Sequence, residues 1–176
     1  MKRLRILHLL RSLMGDRKGV AAIEFALLIL PLSMLIFGII EISLMFFVES
    51  SLDASVQKIS RMIRTGEVAS SNVTLADFKT RICSDMLLAF GCADDLLVKV
   101  DVVSNLSTTA AATAIDSTGK LAVTETYTIG KASDYILVQA FLPWDSAVNF
   151  FTFSTDRLAD GRYLLASSAL FRNEPF

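Results

Sequence analysis

Apolar side chains are concentrated in one stretch of this chain and spread periodically through the rest. From Phe25 to Ile40 the run FALLILPLSMLIFGII holds sixteen residues without a charge; Glu41 interrupts it and ISLMFFV completes it. Residues 25–48 would make a helix of about 36 Å, enough to cross a hydrocarbon core of about 30 Å. Leu, Ile, Met and Phe occupy every face, so a helix lying flat in the interface, which needs a polar stripe, does not fit. Pro31 and Gly38 are tolerated in membrane helices, and Pro31 predicts a kink. The run exceeds the 7–15 apolar residues of a cleaved secretory signal, which favours a retained anchor.

Beyond the anchor the pattern changes to one-sided. Leu52, Val56, Ile59, Met62 and Ile63 recur at three- and four-residue steps, with Asp53, Gln57, Lys58, Arg61 and Arg64 on the other faces. One long helix from about Val20 to Thr65 is expected, stopped at Thr65-Gly66, with the stripe of its outer half packed into a core. A second helix is predicted to start at Thr74, with Asp77 in its first turn, and to run to Gly91. Period-two alternation then predicts strands at Leu96–Val103 (Leu96, Val98, Val100 and Val102 on one face, Lys99 and Asp101 on the other) and at Tyr135–Trp144. Tyr163–Arg172 makes a third, and Leu121–Ile129 a possible fourth. Pro143 marks a strand end or an edge position. Residues 104–119, mostly Ser, Thr and Ala, read as a surface loop. The expected fold is α+β: a long N-terminal transmembrane helix continuing into a small exported domain with a three- to four-stranded antiparallel sheet. Its parts are a leader (1–19), the membrane helix (20–48), the helix continuation (49–66) and the exported domain (67–176).

Charge sharpens this picture. Six basic residues, Lys2, Arg3, Arg5, Arg11, Arg17 and Lys18, precede the anchor against Asp16 alone, although the whole chain has a net charge of only −1. A basic head before an apolar run and an acidic remainder after it follow the positive-inside pattern, which places the N-terminus in the cytoplasm and the rest across the membrane. The same placement argues against nucleic-acid binding, because the cations precede a membrane segment rather than forming a folded basic face. Cys83 and Cys92, nine residues apart, are expected to form a structural disulfide in an oxidising compartment. The single histidine, His8, lies in the leader, so the exported part has no histidine for catalysis or metal binding. No catalytic triad, phosphate loop, metal cluster or cofactor motif stands out, and Asp94-Asp95, Asp156 and Asp160 read as caps and turns. The expected protein is a non-enzymatic structural component without a cofactor. The cluster Val148-Asn149-Phe150-Phe151-Thr152-Phe153 reads first as core closure and second as a contact surface.

Two carboxylates border the anchor. Glu41, near its far end, reads as interfacial. Glu24, at its start, is a functional candidate, because a carboxylate within a bilayer costs about 2.5–3.5 kcal/mol on insertion scales. The segment Asp16-Arg17-Lys18-Gly19-Val20-Ala21-Ala22-Ile23-Glu24-Phe25 leads from basic residues through a glycine to a glutamate, an aromatic and the anchor. It resembles the prepilin peptidase site of type IV pilin-like proteins, in which the bond after the glycine is cut. Glycine suits such a site: it offers no side-chain obstruction and adopts extended conformations freely. Cutting after Gly19 would leave Val20 first and Glu24 fifth, and the glutamate of one subunit could pair with the new amine of a neighbour, so that neither charge is buried alone.

The run GVAAIEFALLILPLSMLIFGIIEIS, the cysteine pair and the ending LFRNEPF together resemble the TadE-like family of tight-adherence (Flp) pilus systems, most densely over residues 16–50 and 167–176. The resemblance implies a minor pilin-like protein, or pseudopilin, with Gly19 and Val20 flanking the cut and Glu24 and Phe25 at the assembly position. Major Flp pilins favour tyrosine where Phe25 stands and are much shorter, which turns the expectation away from a major subunit. The implied partners are a prepilin peptidase, other pilin or pseudopilin subunits, the pilus assembly platform and membrane lipid. Two other readings compete: an uncut, permanently anchored periplasmic scaffold, and a binding domain released by signal peptidase.

Overall fold

Forty-five consecutive residues, Val20–Arg64, form one α-helix, α1, with Pro31 inside it. The computed structural model describes residues 19–86, 91–104, 114–145 and 157–175; the leader up to Lys18, the phenylalanine cluster at 148–153 and Asp156 lie outside these. The chain divides into two units, Met1–Ile40 and Glu41–Phe176, and α1 runs through the division.

In the first unit the helix exposes apolar side chains all round: Ile23, Phe25, Leu27, Leu28, Leu35 and Phe37 are each more than half exposed. Only 6% of its most apolar stretch is buried, so it is not the core helix of a soluble fold. By length and composition it can cross a membrane.

In the second unit the same helix is one-sided. Val48, Leu52, Val56, Ile59 and Ile63 are buried in a single cluster, with Met45 and Met62 packed against it, as the stripe predicts. Each such side chain contributes about 1.5–3 kcal/mol when fully removed from water. Gly66, in the left-handed region (φ 78°), ends α1 with its N–H donating to Ile63 O. The short helix α2 (Glu67–Ser70) follows. Helix α3 (Leu75–Asp85) begins at a capping box. The Asp77 N–H donates to Thr74 Oγ1 at 3.2 Å, and the Thr74 N–H and hydroxyl both donate to the Asp77 carboxylate. Phe78 and Ile82 carry α3 into the core. The helix stops at Met86, which is extended (ψ 139°), and not at Gly91 as expected. Gly91 instead takes a left-handed turn (φ 73°) into α4 (Cys92–Asp95). A helix continued to Gly91 would set Cys83 and Cys92 about 13 Å apart along its axis, too far for the Cα–Cα distance of 5.7 Å in their disulfide.

The sheet has the order β2-β1-β3-β4. Strands β1 (Leu97–Val102), β3 (Tyr135–Trp144) and β4 (Tyr163–Arg172) pair antiparallel and match the alternating patterns closely. The expected antiparallel sheet is nonetheless mixed. Strand β2 is only Thr126–Tyr127, and it pairs parallel to β1 through Lys99–Thr126 and Val100–Tyr127. The connection from Val102 to Thr126 is long enough for the crossover that parallel pairing requires, whereas a tight hairpin would have forced antiparallel pairing. Most of the predicted strand at 121–129 stays irregular; Leu121 only bridges Ile115. Pro143 belongs to a central strand yet obeys the edge rule: β1 pairing ends at Leu97–Phe141, so Pro143 faces no β1 partner. Val102 shares the face of Val98 and Val100 but lies at the strand's end and is 40% exposed.

Leu96, Val98, Val100, Ile136, Val138, Ala140, Leu142, Leu165 and Ala169 meet the α1 stripe in one core. Two polar contacts set the sense of β4 against α1. The Ser167 hydroxyl donates to Asp53 Oδ1 at 2.8 Å, and the Glu174 N–H donates to Arg64 O at 2.9 Å, satisfying a carbonyl at the helix end. Buried Asn173 completes this closure: its side chain donates to Ile129 O and Lys131 O.

Replacing both Cys83 and Cys92 by serine opens a loop of nine-residue separation, and the expected loss is about 2–3 kcal/mol of unfolding free energy, read by denaturant titration of the full chain in nanodiscs. The Thr74 hydroxyl and N–H hold the exposed Asp77 carboxyl below the usual carboxylate range. A depressed folded value stabilises above the unfolded pKa of about 3.9 and is lost as pH falls through the folded value. The thermal midpoint should therefore drop below about pH 4, and Asp77→Asn should remove part of that pH dependence while lowering the midpoint at pH 7.

Candidate functional site

The residues singled out by their chemistry fall at the start of α1. Gly19 directly precedes the helix and is exposed, with nothing within 4 Å of where a Cβ would stand. The bond between Gly19 and Val20 is thus unobstructed by the rest of the described chain. Val20 is 47% exposed. Cutting at this point would put a free amine at the first residue of the helix.

Val20 and Glu24 are four residues apart in α1, which sets them one above the other on a single helix face, about 6 Å along the axis. The first turn contains no acidic residue, so Glu24 is the first carboxylate the helix meets. It is exposed on a surface that is otherwise Ala, Ile, Leu and Phe, and Phe25, beside it, is 65% exposed. A lone carboxylate presented on such a surface within a membrane has a strong requirement for a cationic partner. The basic residues expected to lead into this junction lie outside the described residues.

Glu41 differs. It is half-buried and interacts within the chain, so it is not a bare charge on the helix surface.

The disulfide is a structural link rather than a reactive site. Cys92 is buried, and Met86 Sδ lies 3.8 Å from its Sγ, so the sulfurs form part of the core. Asp160 pairs with Arg162 at 2.8 Å and Asp116 accepts from the Thr118 and Lys120 N–H groups. Both carboxyls are held below their ordinary range by these hydrogen bonds, that of Asp116 first by the Thr118 hydroxyl. These are turn-forming roles, as expected for Asp160. Among the described residues, no group of three or more His, Cys, Asp or Glu side chains is arranged to hold a metal.

Sequence reasoning did not find Asn173 as a closing residue, nor the Glu125 carboxylate, which accepts from Val98 N–H and pairs with Lys79, both at 3.1 Å. Both act across more than twenty residues of chain, and neither stands in a local pattern.

No curated protein and no solved structure matches the chain. The family model described as TadE-like protein matches residues 19–61, from the glycine at the helix start to the arginine just short of its end. The segment similar to TadE-like protein is therefore the one that carries both the candidate junction and the membrane-length helix.

Proposed function

We propose that this protein is a minor pilin-like (pseudopilin) component of a tight-adherence Flp pilus assembly system, acting in pilus biogenesis and surface adherence. The observation that carries the reading is the match of Gly19–Arg61 to TadE-like protein, in a helix whose first half is exposed and apolar all round and whose second half is packed into a folded domain. The chain enters the inner membrane with its basic N-terminus in the cytoplasm and its domain on the other side, where Cys83 and Cys92 are oxidised. Prepilin peptidase cuts after Gly19. Removal of the basic leader releases the charges that hold the helix to the cytoplasmic face and creates an amine at Val20.

Assembly then proceeds by lateral packing of apolar helices. Glu24 of one subunit pairs with the Val20 amine of its neighbour, which compensates two charges that would each be costly alone in lipid. Phe25 packs beside that pair. The partners are the peptidase, other pilin or pseudopilin subunits, the assembly platform and lipid. The role is structural, with no catalytic residue and no cofactor.

The N-terminus of the membrane-extracted protein, determined by mass spectrometry in cells with and without the cognate prepilin peptidase, tests the first step. The expected result is a start at Val20 that depends on the peptidase. An intact Met1 in both strains would overturn it and favour the permanently anchored scaffold; a start beyond Val48 would favour the released domain. For the second step, Glu24→Ala should leave processing and domain folding intact but reduce crosslinking between subunits and surface adherence at least about tenfold, equivalent to a loss of about 1.4 kcal/mol. Glu24→Asp should restore part of both.

A further inference from the structure

The face of the sheet turned away from α1 is not simply a solvated polar surface. In the register of the sheet, Thr126, Lys99 and Gln139 are direct cross-strand neighbours on β2, β1 and β3, and all three project to that outer face. Strands spaced about 4.8 Å apart therefore present a row of hydrogen-bonding side chains at that interval. The next row on the same face carries Phe141, buried although it lies opposite the core side.

Residues 114–124 cross this face as a strap. Its turn at Asp116–Lys120 is docked onto the segment leading into β4, where the Ala159 N–H donates to Gly119 O at 2.7 Å. Gly119 is left-handed (φ 78°), and an added Cβ would lie 3.3 Å from Ala159. Between strap and sheet is a pocket of about 250 Å³, lined on the sheet side by Lys99, Asp101, Gln139 and Phe141 and on the strap side by residues that include Val123 and Thr124. That is smaller than the roughly 300–1,000 Å³ of sites for drug-sized ligands and leaves room for one small ring.

The lining specifies the chemistry. Lys99 Nζ and Asp101 Oδ2 are 3.2 Å apart, so the two charges compensate each other and the pocket has no net charge to offer an ion. What remains are donors and acceptors in close alternation: ammonium, carboxylate, amide and hydroxyl. An aromatic ring beside such a set suits a molecule with an apolar C–H face and a rim of hydroxyls.

We propose that the pocket between the strap at 114–124 and the outer sheet face binds a neutral hexopyranose unit. Gln139 and Lys99 contact its hydroxyls, with Asp101 accepting from them, and Phe141 lies beneath its C–H face. The pocket lies on the face of the sheet opposite the one that packs on the stripe of α1 from Val48 to Ile63. The biological source of the sugar rests on the export proposed above; binding itself does not.

The test is saturation-transfer NMR on the full chain in nanodiscs, because sugar-headed detergents would compete. The probes are glucose, galactose, mannose and N-acetylglucosamine, each as the free sugar and as its methyl glycoside. At least one is expected to bind with a dissociation constant in the millimolar range, the range for a ligand of this size. Equal binding of the methyl glycoside would identify the terminal unit of a polysaccharide as the source, and preference for the reducing form a free sugar. Gln139→Leu should weaken binding at least about tenfold, and Thr124→Trp, which fills the pocket from the strap, should abolish it. Ser168→Ala, the next position in the row and outside the pocket, should change nothing. The absence of transfer from every probe at tens of millimolar, or binding that survives Thr124→Trp in a protein of unchanged thermal midpoint, would overturn the proposal. Neither result bears on whether Gly19 is cut, so the two readings fail separately.

Discussion

The structure depends on a single helix meeting two requirements in succession. Up to Ile40, α1 shows apolar side chains on all sides; from Met45 onward it packs one stripe on the core and exposes the rest. A helix apolar all round has no preferred side in water and belongs in lipid, whereas a striped helix belongs on a core. The transition occurs within one continuous helical element, Val20–Arg64.

The rest of the domain serves that stripe. Strands β1, β3 and β4 bring Val98, Val100, Val138, Ala140, Leu165 and Ala169 to one face, and α3 adds Phe78 and Ile82. Small residues occur where the helix approaches: Ser167 sits beside Asp53, and its hydroxyl bonds to the helix side chain. At the far end the chain closes on itself, with Glu174 bonding the last turn of α1 and Arg64 pairing with Glu174 at 3.1 Å. That exposed ion pair contributes little by itself; the backbone bond and buried Asn173 are the more consequential ties.

This arrangement separates two surfaces with different chemistry. The start of α1 presents an exposed glycine, a carboxylate and an apolar surface. The outer sheet face presents a charge-compensated polar pocket, on the opposite side of the sheet from the helix.

Much of this was legible in the sequence, because it depends on periodicity. The long helix, its stripe, the three main strands and the disulfide follow from residue spacing of 3.6 or 2 and from two cysteines near one another in the chain. The candidate roles of Gly19, Val20 and Glu24 rest on a local pattern at the helix start, which the family match at residues 19–61 includes. Tertiary structure decided what no local pattern encodes. The parallel pairing of β2 follows from a long crossover, and only Thr126 and Tyr127 join the ladder with β1. Asn173 and Glu125 work on partners distant in sequence. The pocket exists only because Thr126, Lys99 and Gln139, separated in the chain, become neighbours in the sheet, where strand pairing rather than sequence order determines which side chains meet.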